Sequence, residues 1–241
     1  MGMQGLIQLV YPPQCLSCGA LVASDFGLCP ACWRDTPFIA GLTCHKCGTP
    51  LPGDAMAGEE VLCDECLMLA RPWRAGRAAL LYDQKARDLI LSLKHGDRMD
   101  VAYPAAQWML RAAADIVHPG MIVAPIPLYW LRLFTRRYNQ SGLLSGQIGR
   151  IARLDHCPDL LQRIRQTHSQ AGKPREGRFE NVAGAFRLHP RRAARIRGRE
   201  VLLIDDVMTS GATLAAAADV CLGGGAASVS VLVLARATKL Q

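Results

Sequence analysis

From residue 73 onward, apolar positions form two kinds of run that alternate along the chain. Short, nearly continuous Val/Ile/Leu/Ala stretches predict buried strands at Ala78–Tyr82, Met121–Pro125, Asp159–Arg163, Val201–Asp205 and Ser228–Ala235. Between them, longer stretches with apolar residues at helical spacing predict helices at Lys85–Leu93, Ala102–Val117, Gln140–Ala152 and Thr213–Leu222. Strands of this kind separated by helices imply a parallel sheet covered on both faces. The expected class is therefore α/β. Residues 1–72 show neither period. They are broken instead by Gly, Pro and regularly placed Cys.

Composition sharpens this division. The chain has 241 residues, half of them apolar and a fifth charged, which excludes a mostly disordered protein. No apolar run reaches the length of a membrane span. The brief apolar patch Leu6–Val10 has no basic flank and no small-residue cleavage site, so a cytoplasmic protein without a signal peptide is expected. Residues 1–72 hold three basic and seven acidic residues, net −4, leaving 25 basic and 13 acidic residues, net +12, in the remainder. Eight of the ten cysteines precede residue 67. We expect two units, residues 1–72 and 73–241.

The eight cysteines form four C-x2-C pairs: Cys15/Cys18, Cys29/Cys32, Cys44/Cys47 and Cys63/Cys66. Two thiolates at this spacing fit two corners of a tetrahedron, so two pairs complete one four-cysteine zinc site. Gly19 and Gly48, each just after the second cysteine of a pair, allow the turn that aims backbone N–H groups at the thiolates. A disulfide framework is disfavoured without a secretory signal, and a redox pair would need one C-x2-C rather than four. Eight ligands imply two Zn2+ ions with no open coordination position, hence structural metal that supplies the folding free energy of a segment too small for its own core. Sequential and cross-braced pairings both remain open. His45, beside Cys44, is an alternative ligand that eight cysteines make unnecessary, so it reads as a bystander; Cys157 and Cys221 read as buried small hydrophobes.

In an open parallel sheet, ligands bind outside the carboxyl ends of the strands. The run ValLeuLeuIleAspAspValMetThrSerGlyAlaThr, 201–213, supplies chemistry there. A buried strand leads into Asp205 and Asp206, then into a short loop, Met208, Thr209, Ser210, Gly211, Ala212 and Thr213, that opens a helix. A helix start offers unpaired N–H donors to a phosphate, and the hydroxyls of Thr209, Ser210 and Thr213 add more. Paired carboxylates suit vicinal hydroxyls with Mg2+ nearby. Together these describe a site for a ribose diol and its 5′-phosphate.

This run resembles the phosphoribosyl diphosphate (PRPP) signature of type I phosphoribosyltransferases. AlaProIlePro at 124–127, Arg132, ArgArgTyrAsnGlnSer at 136–141, GlnAla at 170–171, Arg178, AsnVal at 181–182, AlaPhe at 185–186 and LeuLysHisGlyAsp at 93–97 are similar to segments of the ComF family. The resemblance spans roughly residues 11–236. It departs at Arg137, which stands where that family commonly has Gly. It implies a double zinc ribbon joined to a type I phosphoribosyltransferase-like parallel sheet flanked by helices. It further implies Mg2+ with PRPP as ligand, Arg132, Arg136 and Arg137 on the diphosphate, and a link to DNA uptake and utilisation. Arginine suits that role because its planar fork binds phosphate oxygens in pairs.

Purine-salvage members often carry an Asp in the phosphate loop where this chain has Thr209, so purine salvage is disfavoured and the acceptor is unidentified. Two functions are expected: phosphoribosyl transfer, or non-catalytic binding of single-stranded DNA or a nucleotide with PRPP as regulator. Competence-machinery proteins are further candidate partners, with the zinc ribbon as the docking element. The cluster Arg187, Arg191, Arg192, Arg195, Arg197 and Arg199 reads either as a solvated connection or as a nucleic-acid phosphate surface. Trp130, Phe134, Tyr138, Phe179 and Phe186 are the aromatic candidates for base stacking, while Trp73 and Trp108 read as core.

Overall fold

The computed structural model describes residues 12–22, 27–54, 59–95, 98–130, 138–166 and 175–238. Two short helices, α1 (Pro30–Asp35) and α2 (Asp64–Met68), each begin just after the first cysteine of a C-x2-C pair. Then follow β1 (Ala75–Leu81), α3 (Gln84–His95), α4 (Ala102–Ala112), β2 (Ile122–Pro125), α5 (Gln140–Ala152), β3 (Asp155–His156), β4 (Leu161–Arg163), α6 (Arg175–Val182), β5 (Phe186–Leu188), β6 (Glu200–Met208), α7 (Ala212–Gly223) and β7 (Ser228–Arg236).

Five strands form a wholly parallel sheet in the order β1-β7-β6-β2-β3. The expected α/β class is observed. Side chains alternate between two cores, as strand geometry requires. Leu202, Ile204, Leu232 and Leu234 face α3, α4 and α5, while Val201, Leu203, Val231 and Val233 face α7.

Three expectations are corrected. Asp159–Arg163 does not join the main sheet; its last three residues, β4, pair antiparallel with β5 in a separate two-stranded ribbon. The edge position beside β2 belongs to Asp155 and His156, and the chain turns away at Pro158. Pro lacks the N–H that would extend the pairing. The helix expected over Ala102–Val117 stops at Ala112, with Ala113 as its C-cap. The strand expected to end at Asp205 runs on to Met208, because β7 keeps pairing with it as far as Arg236.

The cysteine-rich segment straddles the outer edge of β1. Residues 37–39 bond to that edge, Ile39 N–H to Ala79 O and Leu81 N–H to Pro37 O, both at 2.9 Å. This satisfies backbone groups that an exposed edge would offer to another chain. Before this strap, Cys15 and Cys32 lie in the core of one face; after it, Cys44, Cys47 and Cys66 lie in the core of the other. On the first face Trp33 and Phe38 pack on Trp108, with ring centroids 6.3 and 5.4 Å away. On the second, Trp73 Nε1 donates to Lys46 O at 2.6 Å and Gly76 N–H to His45 O at 2.9 Å.

The second contact admits no side chain at position 76. A Cβ there would sit 2.3 Å from Lys46 O and 2.9 Å from Val231 Cγ2. Gly76→Ala should lower stability by about 1–3 kcal/mol, the usual cost of overpacking, whereas Gly223→Ala, in open space at the end of α7, should leave it within about 0.5 kcal/mol. Denaturant unfolding of both variants checks this.

Candidate functional site

Both cysteine sets close into tetrads. The sulfurs of Cys15, Cys18, Cys29 and Cys32 all lie within 4.8 Å of one another, as do those of Cys44, Cys47, Cys63 and Cys66. Pairing is therefore sequential and not cross-braced. A tetrahedral Zn–S length of about 2.3 Å places sulfurs about 3.8 Å apart; Cys18 to Cys29 is 3.8 Å and Cys47 to Cys63 is 3.6 Å. The turns fit as well. Gly19 and Gly48 have φ of 75° and 67°, and each donates its N–H at 2.9 Å to the carbonyl of the first cysteine of its pair. His45 pairs with Glu60 at 3.4 Å and stands outside both tetrads. Cys157 and Cys221 are fully buried, and burial pushes both thiols up, that of Cys221 to about 12.

The second site forms where β2 and β6 part. β2 ends at Pro125 opposite Ile204, while β6 continues for four more residues alongside β7. The side of β6 facing β2 is thus open from Asp205 onward, the geometry of a ligand crevice at strand carboxyl ends. Asp205 Oδ1 accepts from Ser141 Oγ and from Asp206 N–H, both at 2.9 Å. Lys94, at the end of α3, holds Asp206 at 2.7 Å. Burial, and next the charge of Asp206, push the Asp205 carboxyl up to about 7, against the lowering effect of the Ser141 bond and Lys94.

Beyond the carboxylates, Met208 is a buried strand end, Thr209 is exposed, and Ser210, Gly211 and Ala212 are buried. Gly211 has φ of 78° and caps α7. Ser210 Oγ accepts the Ala212 N–H at 3.4 Å. The need for glycine at 211 also comes from within the protein: a Cβ would lie 2.8 Å from Arg71 Nη1 and 3.1 Å from Trp73. The connection from β2 is tied down at both ends of its described part. Asn139 Nδ2 donates to Ile126 O at 3.0 Å, and the Tyr138 hydroxyl donates to Leu93 O at 2.7 Å.

Arg132, Arg136, Arg137 and Phe134 lie outside the described residues, as do Gln170, Ala171 and the Arg178 side chain. Much of the basic cluster is internally engaged. Arg192 meets Asp159 at 3.0 Å, Arg195 and Arg199 both bond Asp155, and Arg187 bonds Gln162 at 2.9 Å. These bonds favour a solvated connection over a phosphate surface. Of the described aromatic candidates, Phe186 is buried and Phe179 packs on the core, whereas Trp130 stands 53% exposed. Sequence reasoning missed Ser141 and Lys94, although both fall in quoted segments, and it gave no weight to Glu65, Arg71 or Arg236.

Comparison with known proteins agrees with this architecture. Residues 6–73 match the double zinc ribbon domain family and residues 153–240 the phosphoribosyl transferase domain family. The DNA utilization protein YhgH of Escherichia coli K12 is 30% identical over 235 residues, covering 95% of this chain and 99% of that protein. Competence protein F of Haemophilus influenzae is 27% identical over 230 residues, 93% and 97% of the respective chains. The solved structure of an allosteric regulatory enzyme of purine biosynthesis covers 59% of this chain and 29% of its own, with 14% identity and a TM-score of 0.38.

Fold and cysteine tetrads thus define a protein with a double zinc ribbon and a phosphoribosyltransferase-like domain. The chain belongs to the ComF family, whose relatives are named for competence and DNA utilisation. No helix among the described residues is long and apolar enough to cross a membrane.

The raised Asp205 value has a direct consequence. The folded state keeps a proton that the unfolded chain has lost, so this contribution to stability is present below about pH 4 and lost as pH rises through about 7. Denaturant unfolding at pH 5 and pH 8 should show the wild type losing about 1–2 kcal/mol more than Asp205→Asn across that interval. An equal loss in both proteins would contradict the assignment.

Proposed function

We propose that this chain binds Mg-PRPP at the carboxyl end of β6 and transfers its phosphoribosyl group to an acceptor not yet identified, serving DNA uptake or utilisation in the cytoplasm. The carrying observation is the crevice itself: adjacent carboxylates at the open side of β6, followed three residues after Asp206 by a loop and six residues after it by a helix start. Asp205 and Asp206 would accept the ribose hydroxyls and lie next to Mg2+; the amides and hydroxyls of residues 208–213 would hold the 5′-phosphate. In the ligand-free protein Lys94 supplies the positive charge beside Asp206, and Mg2+ would take over that part.

Displacement at the anomeric carbon breaks the bond to the diphosphate as the acceptor bonds, through an oxocarbenium-like state. The protein's contribution is to orient the ribose and neutralise the departing diphosphate. We assign the second task to Arg132, Arg136 and Arg137, on their place after β2. Thr209 offers no carboxylate to take a proton from a purine, which is why a purine acceptor is disfavoured. The division into residues 1–72 and 73–241 remains part of this proposal, with zinc organising the first unit and PRPP addressed by the second.

Asp205→Asn combined with Asp206→Asn should weaken Mg-PRPP binding by at least about a hundredfold, the loss of two charge-assisted contacts of about 1.5 kcal/mol each. Zinc content should stay at the wild-type value, and at pH 5, where Asp205 is still protonated in the folded wild type, so should the unfolding midpoint. Calorimetry showing unchanged affinity in the double variant would end the reading.

The exposed Trp130 and the names of the relatives favour one second reading, binding of single-stranded DNA or a nucleotide with PRPP as regulator and competence-machinery proteins as partners. Phosphate-led binding would fall by about tenfold or more between 50 and 200 mM salt. No binding to single-stranded DNA at 50 mM salt would remove this reading.

A further inference from the structure

Two arginines are enclosed where guanidinium groups are expensive to place: the side chains of Arg71 and Arg236 are 0% and 2% exposed. A single carboxylate bridges them. Glu65 Oε1 accepts from Arg71 Nη2 at 2.7 Å and Glu65 Oε2 from Arg236 Nη2 at 3.0 Å. Glu65 lies between Cys63 and Cys66 on α2, inside the second cysteine tetrad. Four thiolates around Zn2+ leave that centre at net −2. With Glu65 it amounts to −3, more than enough to offset the +2 of the two buried cations, which explains how they are tolerated.

The other ends of both guanidinium groups grip the candidate phosphate loop. Arg71 Nη1 donates to Ser210 O at 2.6 Å, and Arg236 Nη1 donates to Met208 O at 3.2 Å and Thr209 O at 2.5 Å. Three successive carbonyls are therefore drawn toward the zinc module. In a trans peptide the carbonyl of one residue and the N–H of the next point in opposite directions. Drawing in the carbonyls of 208, 209 and 210 turns the N–H groups of Thr209, Ser210 and Gly211 the other way. None of those three amides is engaged by another protein group among the described residues. Among the described residues the first tetrad has no such reach: its surroundings are α4 and the opposite sheet face.

We infer that Arg71 and Arg236 are positioning residues for the phosphate loop, and that the second zinc centre, acting through Glu65, holds them in place. The two zinc ions then differ in role: one completes a core, and the other also sets the direction of the loop amides. Calling the loop a phosphate site rests on the function proposed above; its mechanical dependence on Glu65 does not.

The test uses the full-length, zinc-loaded protein and three variants. Glu65→Ala removes the bridge without touching a zinc ligand; Glu65→Gln keeps one acceptor; Asp64→Asn, the preceding residue on α2, is the control. Hydrogen exchange of the bonded amides that anchor the loop, Ala212 to Ser210 Oγ, Ala215 to Gly211 O and Ala237 to Met208 O, should speed up at least about tenfold in Glu65→Ala and less in Glu65→Gln. Amides of β7 residues 230–234 should not change, nor should the content of two zinc ions, and Asp64→Asn should behave as wild type. Mg-PRPP affinity should fall about tenfold in Glu65→Ala. Cys63→Ser, if it folds, should lose one zinc ion and show the same loop exchange. Unchanged exchange at Ala212, Ala215 and Ala237 in zinc-loaded Glu65→Ala overturns the inference, whatever PRPP does. Accelerated exchange in a protein whose wild type binds no PRPP supports the mechanical link while removing the proposed function.

Discussion

The free edge of β1 is the constraint on which the rest of the molecule depends. A parallel sheet needs cover on both faces and along its edges, and over β1 the helices supply that cover on one face only. The cysteine-rich segment provides the remainder by passing around the edge. Residues 37–39 bond to β1, and each cysteine tetrad settles into a different face. The segment is too short to bury a core of its own, so its order comes from metal-fixed turns and from the sheet it clasps. Gly76 shows how closely the two fit, since one extra methyl group would meet the Lys46 carbonyl.

This arrangement brings opposite charges together where the chemistry is proposed. The residues of the cysteine-rich segment are acidic overall and the remainder basic. Eight thiolates around two Zn2+ would deepen the first to −8 and leave the second at +12. At the carboxyl end of the sheet this contrast becomes local and specific. The second tetrad and Glu65 face Arg71 and Arg236 beneath the loop, while Lys94 faces Asp206 across the crevice. The overall basic character is therefore a weak guide to partners. Much of the arginine cluster at 187–199 answers Asp155 and Asp159 instead of awaiting nucleic acid.

What could be read from the sequence was whatever depends on local spacing. Four C-x2-C pairs announced two tetrads, and a buried strand leading through paired Asp into ThrSerGly announced the crevice, because each is encoded within a few residues. What escaped was set by distant pairing. β6 runs past Asp205 only because β7 accompanies it to Arg236, and β4 leaves the main sheet only because Asp155 and His156 occupy the edge. The sequential pairing of the cysteines needed coordinates, since spacing alone allows two arrangements. Glu65, Arg71 and Arg236 were invisible for the same reason: their bonds to one another and to the loop span from 6 to 171 residues. An arginine closing a buried strand was the one available hint.

The most direct test of the account is a crystal structure of the full chain with Mg2+ and PRPP. The account predicts the 5′-phosphate against the amides of residues 209–213 and the ribose hydroxyls at Asp205 and Asp206, with Lys94 displaced from Asp206. The space beside the anomeric carbon would then define the acceptor. Density for PRPP elsewhere, or an unliganded crevice at saturating Mg-PRPP with the Lys94–Asp206 pair intact, would contradict it.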